Sequence, residues 1–412
     1  MSPLKMRFDW RILVVGGLIL NLAAYFFIPE WLGVSRQKLF HFAGVAALEV
    51  PFMDLRGVAT WCEAAANGIN PAATHTTITL PDGSQQPNFL MNYSPVVLGF
   101  HLLGLGPETV PSWALGLAAL QVLSIWGLCG KLTFREAFVW LFLVCSPASL
   151  LLIERANMDI LVFACFVLAL VLRRYASAAV VPILFVAGLK FYPAAGLAAV
   201  WSRGGFGPRI AAFASLVLFL GFLLLMKSQL AAIGASLTGQ YQSAFGSTIV
   251  ADLLKNHGVI SESAAVFLSK TLKIFALGLG ILACGAGFLL SKKSSAPAGK
   301  RDSYAFWLAA PMCLVLFVLS NQMDYKWVFL LFMVPAVLQL WGGKFPLWSV
   351  TSKIWLAAVC TYSYWTFFSG EESLRNAIFK QGVMWVVFVV SSLLCGALLA
   401  RVPSFLKKGE VS

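Results

Sequence analysis

Four short stretches hold most of the side chains in this sequence that can move a proton or grip an anion. The first is Asp54-Leu55-Arg56, with Trp61 and Glu63 downstream. The carboxylate of Asp54 can take a proton from a hydroxyl, and the apolar Val50-Pro51-Phe52-Met53 before it sets it at a boundary between hydrocarbon and water. The plain alternative is a carboxylate that caps a surface helix. Glu63 lies nine positions on, half a turn round a helix, and so faces away. The second stretch is Glu154-Arg155-Ala156-Asn157-Met158-Asp159, a connection between two strongly apolar runs; its plain alternative is a solvated cap. The third is Lys190-Phe191-Tyr192-Pro193, which interrupts an apolar segment. An ammonium there must be paired, snorkelled or facing a polar cavity, because hydrocarbon costs it roughly 2.5 kcal/mol or more, and a buried anion is the better partner. The fourth is Ser320-Asn321-Gln322-Met323-Asp324-Tyr325-Lys326-Trp327, where a surface pair of Asp324 with Lys326 is the alternative.

The elements that must position these groups are membrane helices. With 59% hydrophobic and 11% charged residues, most of the 412-residue chain cannot face water, and no polar stretch is long enough for a large soluble domain. The expected fold is an all-α polytopic membrane protein, one domain over 1–412. Its expected crossings are at about 11–29, 111–129, 134–153, 158–172, 208–227, 265–290, 304–320, 326–342, 351–369 and 380–400. The first segment has no small-residue cleavage site after it and reads as a retained span. Residues 176–201 carry Arg173 and Arg174 before them and Arg203 and Arg209 after them, with Lys190 and Pro193 in the middle. A re-entrant hairpin keeps both basic pairs on one side.

With the N-terminus inside, eighteen of the thirty basic residues and only four of the seventeen acids fall in cytoplasmic segments. The net charge of +13 therefore reports orientation, and a nucleic-acid partner loses its support. All four polar stretches fall on the outer side. The largest outer loop, 30–110, is expected to hold an interfacial helix over Leu39–Met53, a second helix over Asp54–Gly68, an irregular Ala72–Asn88 and a short apolar piece, Val96–Gly106. Seven cysteines lie in or beside apolar runs, Cys62 lies in the polar loop, and the histidines at 41, 75, 101 and 257 have no metal-ligand spacing. Neither a metal nor another cofactor is expected.

In their order along the chain these elements resemble the type C glycosyltransferases, integral membrane enzymes that use a polyprenyl-phosphate sugar outside the cytoplasm. The branch resembled is that of the bacterial polyprenol-phosphate-mannose-dependent mannosyltransferases. Met53-Asp54-Leu55 followed by Asn67-Gly68-Ile69-Asn70-Pro71 is similar to that family's Asp, helix, Gly-x-(Asn/Asp)-Pro pattern. Asn92-Tyr93-Ser94-Pro95 is similar to its Tyr-x-Pro element, and Lys190-Phe191-Tyr192-Pro193 to its Lys-x-Tyr-Pro element. Glu154 to Asp159 is similar to a Glu-Arg-Gly-Asn-x-Asp element and departs from it at Ala156. The resemblance implies a catalytic base at Asp54 and an inner-membrane enzyme with its site outside and both termini cytoplasmic.

The chemistry needs the same groups. Moving a hexose such as mannose from a lipid phosphate to a glycan or glycolipid acceptor requires a carboxylate for the acceptor's proton and cations for the departing phosphate. Asp54 takes the first role and Arg155, Lys190 and Lys326 the second, Arg155 through a bidentate fork. Tyr93, Glu154, Asn157, Asp159, Tyr192 and Asp324 are the expected substrate-binding residues. The rival from another class is a transporter or flippase of a lipid-linked sugar, which places ionisable groups at the bilayer midplane on broken helices, often in repeated halves. One broken segment, no internal repeat and charges at the outer rim weigh against it. A structural membrane subunit leaves four polar stretches on one face unexplained.

Overall fold

In hydrocarbon every backbone N–H and C=O must be satisfied within the segment, so an apolar chain of this kind folds as helices. The computed structural model describes residues 8–45, 47–88, 90–91, 93–228, 244–292, 299–319, 322–343, 345–365 and 374–400; the side chains of 244, 245, 292, 300 and 322–325 lie outside the described set. The α-helices are α1 (Arg11–Leu32), α2 (Arg36–Phe42), α3 (Met53–Ala66), α4 (Val110–Cys129), α5 (Phe134–Val144), α6 (Pro147–Glu154), α7 (Asp159–Val171) and α8 (Ala176–Leu189). They continue with α9 (Leu197–Ser202), α10 (Phe206–Leu225), α11 (Ile249–Asn256), α12 (Glu262–Lys292), α13 (Lys300–Leu319), α14 (Val334–Trp341), α15 (Pro346–Ser363) and α16 (Leu374–Leu399).

Six of these, α1, α4, α10, α12, α13 and α16, are long and apolar enough to cross a membrane. A seventh crossing forms if α5 and α6, bent by 51°, count as one. The chain is thus a polytopic helical membrane protein. The expected span 134–153 bends where Ser146 caps α6 through its side chain and Pro147 opens it. Two expected spans are not single long helices, and a third is shifted along the chain. Residues 158–172 give the thirteen-residue α7. Residues 326–342 divide into a 3-10 helix, Asp324–Phe332, and α14, whose second residue, Pro335, cannot donate to the preceding turn. The span expected over 351–369 corresponds to α15, which begins earlier, at Pro346, and ends at Ser363; residues 366–369 lie outside the described set.

The segment 30–110 is more structured than expected in one part and less in another. The helix expected over Leu39–Met53 is displaced: α2 ends at Phe42, and Gly44 takes a left-handed φ of 75°. The expected irregular stretch holds an antiparallel hairpin, β1 (Thr77–Thr79) with β2 (Gln85–Pro87), closed by Pro81-Asp82-Gly83-Ser84. Most of the apolar piece expected over Val96–Gly106 lies in a 3-10 helix, Pro95–Leu103, capped by Ser94. A second two-stranded pair joins β3 (Ala244–Phe245) to β4 (Gln322–Met323). Cys62 lies on the buried face of α3, where burial pushes its thiol up to about 11.

Two kinds of packing fix the positions that matter. Between α12 and α16 the backbones touch: a Cβ on Gly396 would lie 1.8 Å from the Cys284 carbonyl oxygen, and one on Gly287 would lie 2.0 Å from that of Leu393. Between α7 and the Asp324–Phe332 helix, Phe163 and Phe166 interlock with Phe329 and Phe332, with centroids 4.8 Å apart for Phe163 and Phe332. That aromatic wedge ties Asp159 at the head of α7 to Lys326. At the other end of the same helices, Arg203 donates to the Arg174 carbonyl at 3.0 Å, so the two ends of residues 176–201 lie together and Lys190 sits at their turn.

Candidate functional site

The second polar stretch builds a tight turn. After α6, the Ala156 N–H donates to the Ile153 carbonyl and the Asn157 N–H to that of Leu152, the paired bonds of a Schellman ending. Such an ending puts one residue in the left-handed region, and here it is Ala156, with φ of 45°. Glycine suits that place better, which gives a physical sense to the glycine at this position of the resembled motif. The Asn157 side chain then accepts from the Asp159 N–H at 2.9 Å and opens α7. Arg155 and Asn157 flank the turn.

Asp54 meets that turn from the other side. Phe52, also left-handed with φ of 64°, donates its N–H to the Glu154 carbonyl at 2.9 Å and stacks on Phe26. This contact docks the start of α3 onto the end of α6. The Asp54 carboxylate lies in the first turn of α3, where the helix dipole favours negative charge. One of its oxygens accepts from Asn157 Nδ2 at 2.6 Å, and the other lies 3.8 Å from Arg155 Nη1. Behind them Glu154 is fully buried, with an oxygen 3.4 Å from Arg155 Nε and with Arg36 as a second cation nearby.

Lys190 ends α8 in an extended conformation and reaches the same turn. Its ammonium donates to Asp159 Oδ1 at 2.5 Å and to Asn157 Oδ1 at 2.8 Å, and lies 4.5 Å from the centre of the Tyr93 ring. The Tyr192 hydroxyl also donates to Asp159 Oδ1. Lys326 comes from the fourth stretch, its ammonium 4.7 Å from the Tyr192 ring centre and drawn to both Asp159 and Asp54. Tyr93 packs on Trp61, and burial pushes its hydroxyl up to about 12, so it stays a neutral donor.

Nine of the ten residues singled out in the sequence thus lie in one connected cluster: Asp54, Tyr93, Glu154, Arg155, Asn157, Asp159, Lys190, Tyr192 and Lys326. The side chain of Asp324, like Asn92, Ser320 and Asn321, lies outside the described residues. Two of the cluster's neighbours carry no signal in the sequence. Arg36 follows the first span as an ordinary flanking cation, yet it adds positive charge to the Glu154 carboxylate. Lys380, 3% exposed in α16, sits over Tyr362, which stacks on Trp327 beside Lys326. From Lys326 a groove runs between α13, the Asp324–Phe332 helix and α16; apart from that lysine and Ser391 its lining is apolar, including Phe317, Leu330 and Val387.

Among the described residues no group of three or more His, Cys, Asp or Glu side chains is placed to hold a metal ion. The arrangement offers one carboxylate held by an amide and an arginine, two ammoniums sharing one aspartate, and an apolar groove leading away. No family model matches the chain, and no curated protein matches it in sequence.

Proposed function

We propose that the protein transfers a sugar from a polyprenyl-phosphate donor to a hydroxyl acceptor on the outer face of the membrane, with Asp54 as general base. The observation that carries this reading is that Asp54 lies 3.8 Å from Arg155 and within electrostatic reach of Lys326, the lysine that itself lines an apolar groove. The donor has the matching parts: an apolar chain for the groove, a phosphate for the cations and a sugar for the space before Asp54. Asp54 takes the acceptor proton as the acceptor oxygen attacks the anomeric carbon, and the bond from that carbon to the phosphate oxygen breaks. The electron pair leaves with the phosphate, whose charge Arg155 and Lys326 stabilise. A single displacement of this kind inverts the anomeric centre. Lys190 is already paired with Asp159 and Asn157 and so joins the phosphate with those partners still attached. Glu154 holds Arg155, while Tyr93, Asn157, Asp159 and Tyr192 form the polar wall of the sugar space. The donor sugar is a hexose, mannose by resemblance, and the acceptor a glycan or glycolipid.

On this reading the fold is of the type C kind, in a bacterial inner membrane with both termini cytoplasmic, and the segment 176–201 dips in and returns. The shorter segments then complete about ten crossings. Nine 3-10 residues and the eight of α14 reach about 30 Å, at about 2.0 and 1.5 Å per residue, which matches a hydrocarbon core. The flippase alternative draws on the broken α8 to α9 segment with its charged tip. Purified protein in lipid nanodiscs, given polyprenyl-phosphate mannose and a mannosyl glycolipid, separates the two. A transferase releases polyprenyl phosphate in step with acceptor glycosylation; intact donor with no released carrier sinks the proposal, and donor movement across vesicles without release favours the flippase.

A further inference from the structure

At the end of the bundle away from Asp54, α7 finishes and α8 begins among arginines. Each helix is thirteen or fourteen residues long, which puts this end about 20 Å from Asp159 and Lys190. Arg173, Arg174, Arg203 and Arg301 gather here and repel one another, with Asp302 among them and Glu136, which is taken up capping α5 through Thr133, near Asp302. Asp302 is occupied: it pairs with Arg301 at 3.2 Å and accepts from Gln339. Arg301 also caps the end of α4 through the carbonyls of Gly127 and Leu128.

An excess of basic residues at one membrane face needs no ligand to explain it. A second feature does. Tyr304, in the first turns of α13, is 3% exposed, and its hydroxyl has no hydrogen-bond partner among the described residues. Arg203 and Arg173 are the charges that act on that hydroxyl. Arg203 Nη1 is likewise buried without a partner, while its Nη2 is used on the Arg174 carbonyl. Buried donors left unmade are costly, and two of them, the Tyr304 hydroxyl and Arg203 Nη1, with Arg173 adding positive charge although its Nη1 is used on the Leu170 carbonyl, call for an acceptor that carries negative charge. Basic pockets between transmembrane helices bind phosphate head groups by these contacts.

We propose that Arg173, Arg203 and the Tyr304 hydroxyl bind the phosphate of an anionic membrane phospholipid. The site is separate from the Asp54 cluster and does not depend on the reaction assigned to it. Arg203 supplies a charge-assisted donor from Nη1, Arg173 a second positive charge, and Tyr304 a neutral donor.

The test is native mass spectrometry of the full-length protein titrated with phosphatidylglycerol, with phosphatidylcholine and inorganic phosphate as separate arms, on wild type, Arg203→Gln and Tyr304→Phe. Phosphatidylglycerol should bind wild type about tenfold more tightly than Arg203→Gln and roughly threefold more tightly than Tyr304→Phe. Tyr304→Phe loses one oxygen and keeps the ring, so folding is preserved. In lipid-free micelles it should melt no lower than wild type, since the lost hydroxyl had no protein partner. Equal retention of phosphatidylglycerol by all three proteins overturns the site. Equal protection by inorganic phosphate overturns the lipid as its occupant, and a lower melting point of lipid-free Tyr304→Phe shows a protein partner and overturns it as well.

Discussion

The two ends of this helix bundle treat charge in opposite ways. Around Asp54 and Asp159, acids and bases alternate in contact: Arg155 lies between Asp54 and Glu154, and Lys190 bonds Asp159 while Lys326 is drawn to it. Around Tyr304, four arginines face Asp302, an acid already bound. Buried charge is tolerated at the first end because each group has an opposite neighbour within hydrogen-bond or close Coulombic reach. The second end carries an excess of positive charge, and Arg203 Nη1 and the Tyr304 hydroxyl have no acceptor among the described residues, whereas the carboxylate oxygens of Glu154 and Asp159 that lack a hydrogen bond at the first end belong to groups that face a cation. A matched cluster holds its own geometry and suits chemistry; an unmatched one is completed from outside.

The most severe way to erase the difference is to remove the acid that the two lysines share. Asp159→Ala leaves Lys190 and Lys326 in an apolar setting without it, and should cost about 3–5 kcal/mol in chemical unfolding, the usual loss when one member of a buried pair is removed. A cost under about 1 kcal/mol would mean that the ammoniums reach water and that the two ends are alike.

Gly396→Val tests the packing that both ends share. Its Cβ would meet the Cys284 carbonyl, so α12 and α16 must part, at about 1–3 kcal/mol. Thermal scans should show one lowered transition, with lipid retention at Arg203 and turnover at Asp54 falling together. Loss at one end alone would show that the ends are not coupled through this pair.

The smallest change has the opposite sign and touches the matched end only. Ala156→Gly relieves a left-handed alanine and should add about 1 kcal/mol to stability. Turnover should stay within about twofold, since Arg155 and Asn157 keep their places on a turn that forms more easily. A destabilised variant would show that the alanine methyl packs better than the backbone strain costs.

Much of this organisation is legible in the residues. Hydropathy marks the membrane helices, and the four polar stretches carry every residue of the cluster except Tyr93, because a charge beside an apolar run has few places to go. The start of α3 at Met53 is readable from Asp54 and its end from Gly68, which is left-handed as a helix stop requires. Hydropathy counts side chains and is blind to backbone geometry, so the run 326–342 reads as one span although it divides before Pro335. The bend at Ser146-Pro147 has a readable signal, a capping serine before a proline, that an apolar average hides. Asn157 bridging Asp54 and Lys190 across 103 and 33 residues of sequence depends on how α3, α6 and α8 dock, which no local pattern specifies. Arg36 and Lys380 are missed for the same reason.

The most direct measurement is single-turnover transfer from polyprenyl-phosphate mannose by Asp54→Asn in nanodiscs, beside wild type and with donor binding measured on the same samples. Asparagine keeps the shape and the contact with Asn157 while removing the basicity. The expected result is a loss of roughly 100-fold or more in the transfer rate with donor affinity within a few-fold of wild type. Transfer at the wild-type rate by folded Asp54→Asn would contradict Asp54 as the base.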